Sequence, residues 1–250
     1  MKLHPVLFQI LLFAAITLVA TGCYIDVDDD DGFGIGPTVS GSGNVITEGR
    51  IVSSFSRIEV EGSANIILNQ GTNQTVQVEA DDNIVPIITT RVRGDELEIS
   101  NSRNYRSNNP VNVYITVPVI SAISIDGSGD VFGESTIEGD QLELDIDGSG
   151  NMDLEIFYTQ LFVESNGSGD FQLIGEVVDQ NVRMSGSGNY DAWEMTSENC
   201  DIRISGSGDA SVFASEFLKA EIRGSGNIRY YGDPRIESSV TGSGDIISAP

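Results

Sequence analysis

A four-residue phrase, Gly-Ser-Gly followed by Asp or Asn, recurs through the chain. It stands at Gly41–Asn44, Gly127–Asp130, Gly148–Asn151, Gly167–Asp170, Gly186–Asn189, Gly206–Asp209, Gly224–Asn227 and Gly242–Asp245, with a variant at Gly62-Ser63-Ala64-Asn65. From Gly127 onward the first glycines follow one another in steps of 21, 19, 19, 20, 18 and 18. Self-similarity at one short period is the mark of a solenoid, in which each unit is too small to bury a face alone and is covered by the next.

Laying the repeats over one another gives columns. Two places before each first glycine stand Ile125, Ile146, Ser165, Met184, Ile204, Ile222 and Val240. Four places before stand Ile123, Leu144, Val163, Val182, Ile202, Ala220 and Ser238. Directly after each Asp or Asn come Val131, Met152, Phe171, Tyr190, Ala210, Ile228 and Ile246. Period-two alternation of apolar, often β-branched residues predicts strands. The mostly apolar columns are expected to point inward and to stack at the ~4.8 Å strand spacing into one core. They also argue against reading the Gly/Ser phrases as disordered linker.

Between the first two columns run Ser124, Asp145, Glu164, Arg183, Arg203, Glu221 and Ser239, which are expected to face outward. Glu164 is expected beside Arg183, and Arg203 beside Glu221. The fold class is all-β, a right-handed parallel β-helix-like solenoid with ~20-residue coils turning at GSG[DN] corners. Residues 121–250 hold the regular repeats and residues 41–120 less regular coils. The stretch from Gly62 to Gly127 leaves room for about three further coils of this length, with hidden turns near Asp82-Asn83 and Arg103-Asn104. No ordinary helix stands out; Glu216–Ala220 has room for one turn.

Glycine at a corner permits positive φ and close backbone approach. Ser can bond neighbouring backbone groups, and Asp or Asn can close a local Asx turn. The last residues of the phrase, Asp130, Asn151, Asp170, Asn189, Asp209, Asn227 and Asp245, alternate without exception. In a stack, carboxylates on adjacent coils would repel, and an amide between them can donate hydrogen bonds instead. We read these seven residues as a structural turn ladder. The second arrangement is two phrases sharing one larger coil. A calcium ladder is the competing chemistry, but one acid per ~20-residue unit is sparse for a cation that takes six to eight oxygens. No metal or cofactor is expected. A GxG phosphate loop needs a following helix, and strands follow here.

The chain opens with Met1-Lys2-Leu3-His4, an apolar run over 6–20, and small residues before Cys23. This predicts a secretory signal over 1–22; the run is short for a membrane-spanning helix. Small residues directly before a cysteine resemble the bacterial lipoprotein signal, which makes Cys23 the lipidated residue. Residues 23–40, acidic and then glycine-rich, read as a disordered tether. Asp26–Gly32 fails as an EF-hand loop, because Gly32 at position 6 puts Val27 at position 1.

The formal net charge is −25, and becomes 12 − 38 = −26 once Lys2 leaves with the signal. That argues against nucleic acid as a partner and against anionic lipid surfaces. The processed chain has no histidine, and its one lysine is Lys219, so the commonest proton carrier is missing. Cys200 has no disulfide partner once Cys23 is lipidated and is expected in the core. Trp193 is expected to face outward, near Tyr190.

The segments Glu48–Val52 and Phe55–Gly62, the strand containing Pro118, and Ile125–Asp130 followed by the GSG repeats resemble the head GIN domain family (DUF2807). The resemblance spans about residues 41–250. It implies a secreted or surface-exposed β-helical domain of adhesin type, common in Bacteroidetes, and carries no established catalytic or binding residues. The expected function is therefore a non-catalytic, lipid-anchored envelope protein, an outer-membrane lipoprotein that binds an unknown protein or glycan. The alternatives are a periplasmic structural or envelope-stress lipoprotein and a polysaccharide-active β-helix enzyme. The last coil is expected to have an open edge through which copies self-associate.

Overall fold

A computed structural model describes residues 38–249. The expected signal over 1–22, Cys23 and most of the expected 23–40 tether lie outside the described residues. That segment meets the fold at β1 (Val39–Ser40), which pairs in parallel with β8 (Tyr105–Arg106).

The regular part is a parallel solenoid. Its strands before the phrase are β10 (Ala122–Gly127), β12 (Ile137–Ile146), the ends of β13 (Met152–Ser165) and β14 (Phe171–Met184), β16 (Met195–Ile204), β18 (Phe217–Gly224) and β20 (Arg235–Gly242). Its strands after the phrase are β11 (Val131–Gly133), the starts of β13 and β14, β15 (Tyr190–Ala192), β17 (Ala210–Phe213), β19 (Ile228–Tyr231) and β21 (Ile246–Ser248). Pairing in this part is parallel throughout, and the columns read from the sequence are the observed partners: Ile125 beside Ile146, then Ser165, Met184, Ile204, Ile222 and Val240. The stretch 216–220 enters strand β18 and makes no helical turn.

Alternation explains both the sides and the second corner. β13 buries every second residue from Met152 to Tyr158, exposes both Thr159 and Gln160, then resumes alternation at Leu161. Two exposed neighbours reset the phase, as happens where a strand rounds a corner. The core columns are buried from Ile123 to Ile228, whereas Ser238 and Val240 of the last coil are exposed.

The amino-terminal part departs from expectation. β3 (Arg57–Gly62) and β4 (Asn65–Gln70) form a coil that pairs directly with β10 and β11. Gly62 and Gly127 are therefore neighbours in the stack, and the chain between them does not insert three coils there. It adds one coil on the other side: β7 (Glu96–Asn101) pairs with β3, and β9 (Asn112–Val117) with β4. The rest closes that end antiparallel. β5 (Thr75–Asp81) pairs with β9 and with β2 (Val45–Arg50), and β6 (Ile88–Arg93) pairs with β7. Alternation reports which residues face in; it carries nothing about pairing order, so this doubling back left no trace in the pattern. Of the two hidden turns, Arg103-Asn104 lies in the corner of the added coil, and Asp82-Asn83 in the link between β5 and β6.

Candidate functional site

The phrases stack corner over corner, which removes the reading with two phrases per coil. A Cβ built at Gly127 would run into the carbonyl oxygen of Gly62, and one at Gly148 into that of Gly127; the second glycines clash in the same way, Gly150 with Gly129. Each first-glycine carbonyl accepts the N–H of the serine one coil on, as Gly127 O does from Ser149 at 2.8 Å. Glycine is thus required by coil-to-coil approach. Among the stacked phrases, positive φ occurs only in the first and the last, at Gly62 (120°) and Gly242 (137°).

The Asp/Asn row is a continuous hydrogen-bond chain. Oδ1 of Asp130 accepts both the backbone N–H and the Nδ2 of Asn151, each at 2.8 Å. Oδ1 of Asn151 accepts the backbone N–H of Asp170 at 2.9 Å. The pattern repeats through Asn189 on Asp170, Asp209 on Asn189, Asn227 on Asp209, and Asp245 on Asn227. Each side-chain oxygen thus serves the next coil, so the local Asx turn expected from the sequence is replaced by an inter-coil bond. The first copy, Gly41–Asn44, lies off the stack. Ser42 Oγ and Asn44 Nδ2 donate to the Asp82 carboxylate, which these two bonds hold below the usual carboxylate range.

On the face before the corner, the small residues Ala122 and Ser124 sit between Arg57 and Glu143 and between Glu59 and Asp145. The dip between the larger side chains opens a groove of about 420 Å³. Arg57 spans it, reaching Glu143 at 3.1 Å and Glu96 at 3.5 Å. Burial, then the charges of Glu96, Glu61, Glu98 and Asp126, raises the pKa of the Glu59 carboxyl. Burial, then Glu164, Asp147 and Asp126, raises that of Asp145. Further along, Arg203 pairs with Glu221 as expected. Arg183 does not pair with Glu164; it reaches the next coil to Asp201 at 3.2 Å, which also holds Lys219 at 2.8 Å. Asp201 offers Arg183 both its carboxylate and its backbone carbonyl, and so takes the contact.

On the face after the corner, Trp193 is 44% exposed. Its aromatic neighbour is Tyr231, with ring centroids 5.5 Å apart. Tyr190, the neighbour expected from the sequence, is buried and donates to Gln180 Oε1 at 3.1 Å. Sequence reasoning missed the inward Gln180, whose Nε2 donates to Ser197 Oγ and the Phe213 carbonyl. Cys200 is buried, and burial pushes its thiol well above the ordinary range. Among the described residues no group of three or more His, Cys, Asp or Glu is placed to hold a metal ion.

Residues 54–234 match the family described as "Putative auto-transporter adhesin, head GIN domain", DUF2807. The chain belongs to this family. A crystal structure of a putative adhesin from Bacteroides fragilis is 30% identical, with a TM-score of 0.81 over 84% of this chain and 100% of that one. A putative lipid binding protein from Parabacteroides distasonis is 26% identical, with a TM-score of 0.71 over 85% of this chain and 100% of that one. A putative adhesin from Parabacteroides merdae, at 21% identity and a TM-score of 0.66 over 85% of this chain and 99% of that one, shares the fold. Among curated proteins, none matches this chain.

Proposed function

We propose that this head GIN domain protein is a non-catalytic binding solenoid of the cell envelope, lipidated at Cys23, anchored in the outer membrane, and carrying an adhesive face. The observation that carries the reading is its family membership, with the whole length of an adhesin-type relative superimposing on it. The architecture supports it: side chains repeat at coil spacing along open faces, an arrangement suited to multivalent contact with an extended partner. The Asp/Asn row is proposed as purely structural, since its oxygens hold the coils to one another. The winding is taken as right-handed, the hand of nearly all parallel crossovers. Self-association through the last coil belongs to the same proposal; β20 is exposed along its length.

Protease shaving of intact cells tests the placement. Loss of the domain while a periplasmic control stays whole is expected. Survival of the domain would move it to the periplasm and favour a structural role there. A deletion strain that attaches as well as its parent would remove the adhesive part. A melting temperature that responds to calcium or to chelator would overturn the structural reading of the ladder.

A further inference from the structure

We propose that the outer row Ile174, Trp193, Phe213 and Tyr231 is a sugar-binding ridge that takes an uncharged glycan laid along the solenoid axis. This rests on the surface-binding reading above and names the ligand class.

The row is built by register. Gln172 pairs with Asp191 and Ala192 with Val212, so Ile174 and Phe213 flank Trp193; Phe213 pairs with Tyr231. Steps of 19, 20 and 18 along the row equal those between the phrases at Gly167, Gly186, Gly206 and Gly224. The coil gains a residue at Trp193: the pairing offset is 19 at Gln172–Asp191 and 20 at Gly175–Met195. The extra residue falls in the turn that carries Trp193, pushing it away from the core. Trp193 and Tyr231 start two coils apart, ~9.6 Å by strand spacing, yet their rings close to 5.5 Å at an angle of 36°. They lean together over the coil of Phe213. Ile174, 37% exposed, extends the apolar surface by one coil.

The neighbouring outward column supplies Asp191, Ser211 and Arg229 at successive coils, a carboxylate, a hydroxyl and a guanidinium. Arg229 is exposed and joins no ion pair among the described residues. A pyranose has an apolar C–H face and a rim of hydroxyls. The face packs on an aromatic ring, and the rim bonds to groups of these three kinds. Coil spacing is close to the length of one sugar residue, so successive sugars meet successive coils.

Charge and topology narrow the ligand. Both signs flank the ridge, and a chain of net charge −25 repels polyanions, which leaves neutral glycans. A peptide cannot add here as a strand. β15 is paired on both sides, by β14 and β17, and β17 by β15 and β19, so no backbone edge is free.

Trp193 is the only tryptophan of the chain, so its fluorescence reports on the ridge alone. The full chain in detergent would be titrated with neutral β-linked gluco- and manno-oligosaccharides, and with sialylated and sulfated oligosaccharides as contrasts, following emission and heat of binding. A saturable blue shift with a neutral oligomer is expected. Trp193→Ala and Tyr231→Ala should each weaken binding at least tenfold by calorimetry, with unchanged melting. No binding of any neutral oligomer, or binding that survives both substitutions, overturns the ridge. If a deletion strain still loses attachment in that case, the surface-binding reading stands without it. If glycan binding holds but deletion leaves attachment unchanged, the adhesive reading falls and the ridge remains.

Discussion

Asn151 sends both its backbone N–H and its side-chain amide to a single oxygen of Asp130, each at 2.8 Å. Asn189 does the same to Asp170, and Asn227 to Asp209. An amide fits these places and an ionised carboxylate does not, because the position accepts from the coil after it and donates to the coil before it.

Asn189→Asp replaces that donor with a third consecutive carboxylate. The expected cost at neutral pH is about 1–2 kcal/mol, from the lost bond to a charged acceptor and the new repulsion. Neighbouring carboxylates raise the new acid's folded pKa above its unfolded value, so the penalty is full at neutral pH and fades as pH falls through that folded pKa. Chemical denaturation of both proteins at neutral and acidic pH checks it: the gap should narrow on acidification.

Gly167→Ala should be far worse than its small volume implies. The added methyl would meet the carbonyl oxygen of Gly148, which is backbone held in the stack. A loss of about 3 kcal/mol is expected. Gly49→Ala, where nothing lies within 4 Å, should stay within about 0.5 kcal/mol of the parent. Urea midpoints of the two variants separate coil contact from a general intolerance of alanine.

Ser165→Ala should stabilise the protein. Ser165 is 1% exposed in the column of Ile146 and Met184, and its hydroxyl is buried with no partner. Removing an unsatisfied buried hydroxyl is worth about 1 kcal/mol. The denaturation midpoint should rise with an unchanged slope.

Asp145→Asn should also stabilise, in a pH-dependent way. Burial and then Glu164, Asp147 and Asp126 hold the Asp145 carboxyl above its ordinary pKa. With the folded pKa above the unfolded one, the folded state binds more protons, so stability falls as pH rises between the two values. The substitution therefore gains stability at pH 7, and the gain disappears as pH drops to the carboxylate range. A gain that grows on acidification would contradict this origin.

The regular half of the solenoid could be read from the sequence because one residue's place there fixes those of its neighbours. Ile146 is inward, so Ser165 and Met184 are inward, and the corner recurs on schedule. The amino-terminal half resisted because β5 and β6 run antiparallel and the coil of Arg57–Gln70 gains its second neighbour only at Ala122, after the chain has doubled back. Glu164 and Arg183 are in register, yet Arg183 turns to Asp201; register sets which residues are adjacent, and side-chain geometry chooses between neighbours. Tyr231 went unnoticed beside Trp193 because two full repeats separate them, although the repeat spacing was enough to connect them.

The alternating row gives the solenoid a parity. Take out one coil from inside the row and two carboxylates, or two amides, become neighbours; take out two adjacent coils and the order is restored. Asp130, Asp170, Asp209 and Asp245 each stand two phrases from the next. Inside the row, length is therefore gained or lost most easily in double coils, steps of ~9.6 Å along the axis. Within the row, then, length changes by even numbers of coils, while either end is free to change by one.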